Sequence, residues 1–247
     1  MNKVLTILTA FLLLAPLVAC RRSDPIATTY GFGYVKGDSI FSDGNIEYVV
    51  TSSTCGDGWR SLDRVYFECR VGSSTSTRKY EAVLMDFEEM ILKEPVDSDD
   101  PAAETLGDDA VCFAECIISG AGRNTFLNFF EVYFVKKGSD TEHDLNFVFN
   151  KEKSAESDTL FFTLRHNGHG ETYDNPDIPM EDLDMAETSC SMRIGDYIRD
   201  GAEGIKFAIE FDWHIFDFDS DSYERRTEHF LKAGKIDFQP KSITNDF

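Results

Sequence analysis

From residue 205 to residue 215 the chain alternates strictly. Ile205, Phe207, Ile209, Phe211, Trp213 and Ile215 are separated by Lys206, Ala208, Glu210, Asp212 and His214. A period of two sends the first set to one face of a strand and the second to the other, whereas a helix would scatter both. Similar runs occur at 30–35, 47–53, 64–71 and 80–92, and again at 110–119, 125–135, 143–149, 159–165, 188–194 and 228–238. No segment carries a long apolar stripe at helical spacing, and only 88–93 is compatible with a helical turn. The chain is therefore expected to be all-β. Ser42, Asp43, Gly44 and Asn45 lie between two runs and read as a hairpin turn.

The runs fall into two groups. Residues 97–104 read Asp-Ser-Asp-Asp-Pro-Ala-Ala-Glu, acidic and without a large apolar side chain, as expected of a linker. About four or five strands precede it, which suits a small closed barrel, and about seven follow, which suits a two-sheet sandwich.

The first residues set location. Lys3 precedes an uncharged apolar run over 4–18, shorter than the roughly 20 residues a spanning helix needs. It closes on Leu17, Val18, Ala19 and Cys20, which resembles the lipobox of bacterial lipoproteins. There the cysteine thiolate takes the lipid. Residues 1–19 are expected to be a signal peptide, Cys20 the lipid-attachment site and 20–29 a tether. Each buried methylene contributes about 0.8 kcal/mol, so two or more acyl chains hold firmly to a membrane. Surface-exported lipoproteins tend to carry acidic residues after the cysteine. Arg21, Arg22, Ser23 and Asp24 differ from that pattern, which favours the periplasmic face of the outer membrane over the cell surface.

A net charge of −21 opposes nucleic-acid phosphates. It fits solubility, cation binding or a basic partner. Besides Cys20 there are Cys55, Cys69, Cys112, Cys116 and Cys190, an odd number in an oxidising compartment. Cys55 and Cys69 flank one turn and are the candidate disulfide. Cys112 and Cys116 on one strand would stand about 13 Å apart, beyond disulfide reach.

Two segments invite a metal. His166-Asn167-Gly168-His169-Gly170-Glu171 offers two imidazoles and a carboxylate, but the spacing of three and the glycines differ from the helical zinc pair. A strand end running into a glycine turn explains it better. Asp217, Asp219 and Asp221, with Glu228 at the twelfth position, mimic a calcium loop. Ser222 stands where that loop needs glycine and strands flank it, so an acidic hairpin is expected. No metal or other cofactor is assigned. No Gly-x-Ser-x-Gly elbow, phosphate loop or dinucleotide fingerprint occurs. Most of the 21 phenylalanines occupy inward strand positions, with Trp59, Tyr173 and Tyr223 as the loop aromatics that could stack on a sugar.

Several motifs in order resemble the NigD-like lipoproteins of the Bacteroidetes. They are Tyr34-Val35-Lys36-Gly37-Asp38, Tyr48-Val49-Val50-Thr51-Ser52, Asp63-Arg64-Val65-Tyr66 and Ile91-Leu92-Lys93-Glu94-Pro95-Val96. In the second half they are Phe126-Leu127-Asn128, His143-Asp144-Leu145-Asn146 and Leu164-Arg165-His166-Asn167. The family typically places Gly-Asp after the last of these, where this chain has Gly170-Glu171. The resemblance implies an OB-like Greek-key barrel over 30–96, then a seven-stranded immunoglobulin-like β-sandwich over 105–240. It implies no established activity. The family name comes from a gene beside a bacteriocin, so an immunity role is an association.

Three functions remain open. The first is a non-enzymatic binding or protective lipoprotein of the envelope with a protein partner. The second is a glycan-binding accessory lipoprotein, and the third is a metal-dependent hydrolase using His166 and His169.

Overall fold

The computed structural model describes residues 27–198 and 204–235. The signal peptide, Cys20 and the end of the run at 228–238 lie outside the described residues. Strands β1 (Ala27–Lys36), β2 (Ser39–Ser42), β3 (Glu47–Ser53), β4 (Arg64–Ser76) and β5 (Lys79–Glu89) close a barrel in the order β1-β2-β3-β5-β4. β3 and β5 run parallel, and the other pairs are antiparallel. The turn between β2 and β3 is the one expected at 42–45. Asn45 takes φ +60°, and its N–H donates to Ser42 O at 2.9 Å. Inside the barrel, Ile40, Val65, Phe67, Cys69 and Leu84 pack around Trp59, which is fully buried.

The second part is a sandwich. Its strands are β6 (Ile91–Lys93), β7 (Val96–Asp97), β8 (Phe113–Ser119), β9 (Phe126–Lys136), β10 (Asp144–Phe149), β11 (Thr159–Asn167), β12 (Leu183–Arg193), β13 (Gly204–Asp217) and β14 (Ser222–Lys235). One sheet has the order β14-β13-β11-β10-β7 and the other β6-β12-β9-β8. The run after the acidic break supplies β8 to β14. The short β6 and β7, which precede most of that break, add parallel edge strands beside β12 and β10. Residues 88–93 are therefore extended and form no helical turn. Glu88 and Glu89 pair with β4, Met90 N donates to Arg64 O at 3.0 Å, and Ile91 already pairs with Cys190. Within 97–104, Asp100 accepts from Ala102 N at 2.8 Å and starts a 3-10 turn at Pro101. A short helix, α1 (Lys151–Ala155), is capped by Asn150, whose side chain accepts from Lys153 N at 3.0 Å.

β9 is buried on both faces. Its odd residues Leu127, Phe129 and Tyr133 enter the sandwich core. Its even residues meet the barrel: Phe130 lies 6.1 Å from Tyr66 and 6.2 Å from Phe32, and Phe126 lies 5.7 Å from Tyr34. The run Phe126-Leu127-Asn128-Phe129-Phe130 is apolar at both parities for this reason.

Candidate functional site

At the barrel–sandwich junction Arg64 is 1 % exposed. Its Nη1 and Nη2 donate to Asp43 Oδ1 and Oδ2 at 2.8 and 2.6 Å. Nη2 also reaches Asn128 Oδ1 at 3.0 Å, and Nε donates to Ser191 Oγ at 2.8 Å. Ser191 Oγ donates in turn to Asn128 Oδ1 at 2.7 Å, and Ser119 Oγ bonds to Asp43. The guanidinium lies 4.0 Å from the Phe126 ring centroid and 5.1 Å from that of Tyr34. Barrel and sandwich are thus joined by a buried fork between charged groups, whose hydrogen bonds and aromatic cover make up for lost hydration.

The histidine segment is divided by the fold. β11 carries His166 inward, 1 % exposed, while the turn after it carries His169 out to solvent at φ +52°. His166 Nδ1 lies 3.4 Å from Ala110 O, and its Nε2 lies 3.0 Å from Nδ1 of His143. If Nδ1 of His166 donates to the carbonyl, Nδ1–H of His143 must donate to His166 Nε2. The two rings pack beside Tyr133, at 4.9 and 4.8 Å. Burial, with His143 adding to it, lowers the His166 pKa to about 4. Burial also lowers that of His143, against the pull of Glu171 and Asp109. Both are neutral at pH 7. Gly168 is required beside them, because a Cβ there would stand 2.3 Å from Thr172 Cγ2 and 3.1 Å from His143 Cε1. His169 Nε2 meets Asp144 Oδ2 at 3.1 Å instead. The structure does not bring His166 and His169 together, and among the described residues no group of three His, Cys, Asp or Glu side chains is arranged to hold a metal ion. Sequence reasoning missed His143, whose partnership depends on the β10–β11 register Leu145↔His166.

In the acidic hairpin, Asp217 accepts from Asp219 N at 3.1 Å and from Ser220 Oγ at 2.7 Å. Asp221 supplies the positive φ. Glu228 pairs with Phe211, six residues up β14 from Ser222. That is about 20 Å at roughly 3.3 Å per residue, too far to close a calcium loop.

Cys55 and Cys69, the expected pair, are free thiols, as are Cys112, Cys116 and Cys190. The Cys69 side chain is turned into the barrel core, while Cys55 Sγ meets Ser53 Oγ at 3.2 Å in the loop after β3. Burial pushes the Cys69 and Cys112 thiols up to about 12 and that of Cys190 well above its ordinary value. None of these three is a thiolate nucleophile at neutral pH. The loop aromatics form no open platform. Trp59 plugs the barrel, and Tyr173 and Tyr223 pack on each other and on Phe134 at 4.9–5.4 Å. Tyr173 Oη accepts from Tyr223 N at 3.1 Å.

A closed five-stranded barrel welded to a two-sheet sandwich, with its histidines held by structural partners, defines a two-part all-β scaffold. Residues 94–180 match the NigD-like C-terminal beta sandwich domain. No curated protein matches the sequence. Among solved structures the fold is similar to a Bacteroides vulgatus protein of unknown function, with TM-score 0.55, 16 % identity, and 83 % of this chain and 91 % of that one covered. A NigD-like immunity protein from Bacteroides caccae gives TM-score 0.52 and 15 % identity over 84 % of this chain and 97 % of that one. A candidate lipoprotein from Bacteroides fragilis gives 0.51 and 11 % over 82 % and 97 %. At these identities the likeness is one of fold.

Proposed function

We propose that this chain is a non-enzymatic binding module of the cell envelope, held through acyl groups on Cys20 at the periplasmic face of the outer membrane. In this reading it protects by engaging a basic protein, as an immunity protein engages a toxin. The observation that carries the reading is how the candidate chemical groups are used. His166 is tied to His143, His169 to Asp144, and the thiols of Cys69, Cys112 and Cys190 are held protonated. A body of net charge −21 favours a basic partner through long-range steering. The immunity protein and the candidate lipoprotein among the structural neighbours support the same reading. Among the described residues no helix is long and apolar enough to cross a membrane.

Cys20→Ala is expected to move the protein from the membrane fraction to the soluble fraction. Retention in washed membranes would sink the anchor. Affinity capture with the anchored chain from intact envelopes is expected to enrich a basic protein that elutes as salt shortens the Debye length. Capture that is indifferent to salt, or equal with a charge-matched control, would refute the basic partner. The purified protein is expected to hold no stoichiometric zinc. One zinc per chain by elemental analysis, lost in His169→Ala, would restore the hydrolase.

A further inference from the structure

β11 and β13 are paired in parallel from Thr159↔Lys206 to Thr163↔Glu210, and the register ends there. Beyond that point residues 109–111 are wedged between the two strands. Asp109 N donates to His166 O at 2.9 Å on one side, and Val111 N donates to Asp212 O at 2.9 Å on the other. The splay opens a cavity of about 150 Å³ lined by Asp108, Arg165, Glu210 and Asp212 among others. A second, of about 180 Å³, adjoins it, lined by Lys153 and Phe161 and sharing Thr163 and Glu210 with the first. Each has room for about five or six waters at roughly 30 Å³ apiece.

Three features of this cleft point to a ligand. Arg165 Nε is buried and has no hydrogen-bond partner, which leaves a charged donor unsatisfied. Asp212 accepts from Arg225 Nε at 3.0 Å and from Thr227 Oγ1 at 2.6 Å, so its carboxylate is fixed. Phe161 contributes a half-buried apolar ring to the adjoining cavity. An anion would meet the carboxylates of Asp108, Glu210 and Asp212, and an apolar molecule would strand Arg165. A hydroxyl both donates and accepts, so neighbouring hydroxyls can accept from a guanidinium and donate to carboxylates at once. The apolar side of a sugar ring can cover an aromatic face.

We propose that the cleft between β11 and β13 binds a neutral pyranose sugar, with Arg165 and Glu210 on its hydroxyls and Phe161 against its ring. This goes beyond the protein partner proposed above and does not depend on it. The test is saturation-transfer NMR on the full chain with the methyl glycosides of glucose, galactose and mannose, and with N-acetylglucosamine. At least one is expected to bind. Thr163→Tyr, which fills the cleft from an outward strand position, is expected to abolish the signal without moving the thermal midpoint. Arg165→Met is expected to weaken binding about tenfold, the effect of losing one hydrogen bond to a charged group. Should Arg165→Met fail to fold, Thr163→Tyr decides. Silence from all four sugars, a signal unchanged in Thr163→Tyr, or binding of glucuronate alone overturns the proposal.

Discussion

Arg64→Met is expected to lower the unfolding free energy by about 3–5 kcal/mol, because it leaves the Asp43 carboxylate buried without its counter-charge. The side chains of Arg64 and Asp43 are 0 % and 5 % exposed, so water cannot take the place of the missing guanidinium. Methionine keeps an apolar stem between Phe126 and Tyr34, so most of the loss is electrostatic. Adding Asp43→Asn to Arg64→Met removes the stranded charge and is expected to recover a large part of the loss. The junction also predicts a change in cooperativity. The wild-type chain should unfold in one transition, and Arg64→Met should separate barrel from sandwich into two, because Ser191 and Asn128 lose the group that binds them to the barrel, leaving the bond from Ser119 to Asp43. Urea denaturation followed by near-UV circular dichroism checks both. A loss under about 1 kcal/mol with one unchanged transition would mean that the pair contributes little beyond a hydrophobic replacement.

The alternation of apolar residues exposed most of the fold, because a one-residue slip would turn a whole strand inside out. It failed where local pattern is silent. β2 is four residues long, and β6 and β7 are shorter still. The latter two belong to the sandwich only through β12 and β10, which follow some fifty to one hundred residues later. The junction was partly visible. Phe126 to Phe130 is apolar at both parities, the mark of a strand covered on two sides, and Asn128 is the polar exception that meets Arg64. Arg64 itself sits among alternating residues and looks like any outward arginine until the second domain covers it. The histidine segment was legible as a strand end and a glycine turn. That His166 would choose His143 over His169 was not, since the choice depends on cross-strand register.

The same reading overlooks a carboxylate in the sandwich core. Glu131 stands on β9 between Phe129 and Tyr133 in the inward parity and is 0 % exposed. Cys190 Sγ, at 3.6 and 3.9 Å from its two oxygens, is a weak donor. Burial raises its pKa to about 8, and the Cys190 contact and Lys93 only partly offset this. In the unfolded chain the group titrates near 4.5, so between pH 4.5 and 8 the folded state holds a proton that the unfolded state has lost. Stability therefore falls as pH rises through that window, by up to about 1.4 kcal/mol per pH unit. The buried histidines act with the opposite sign. His166 at about 4 withholds a proton that the unfolded chain binds below 6.5, so its contribution is lost as pH falls from 6.5 toward 4. The two oppose each other below pH 6.5, and above it Glu131 acts without that opposition. From pH 6.5 to 8 the wild-type protein is expected to lose about 2 kcal/mol, and Glu131→Gln, uncharged and of the same shape, to lose almost none. Urea midpoints at pH 6.5 and 8 measure the difference directly. Parallel behaviour of the two proteins would show that Glu131 is already ionised in the core, and Lys93 would then be the group to which its charge is paired.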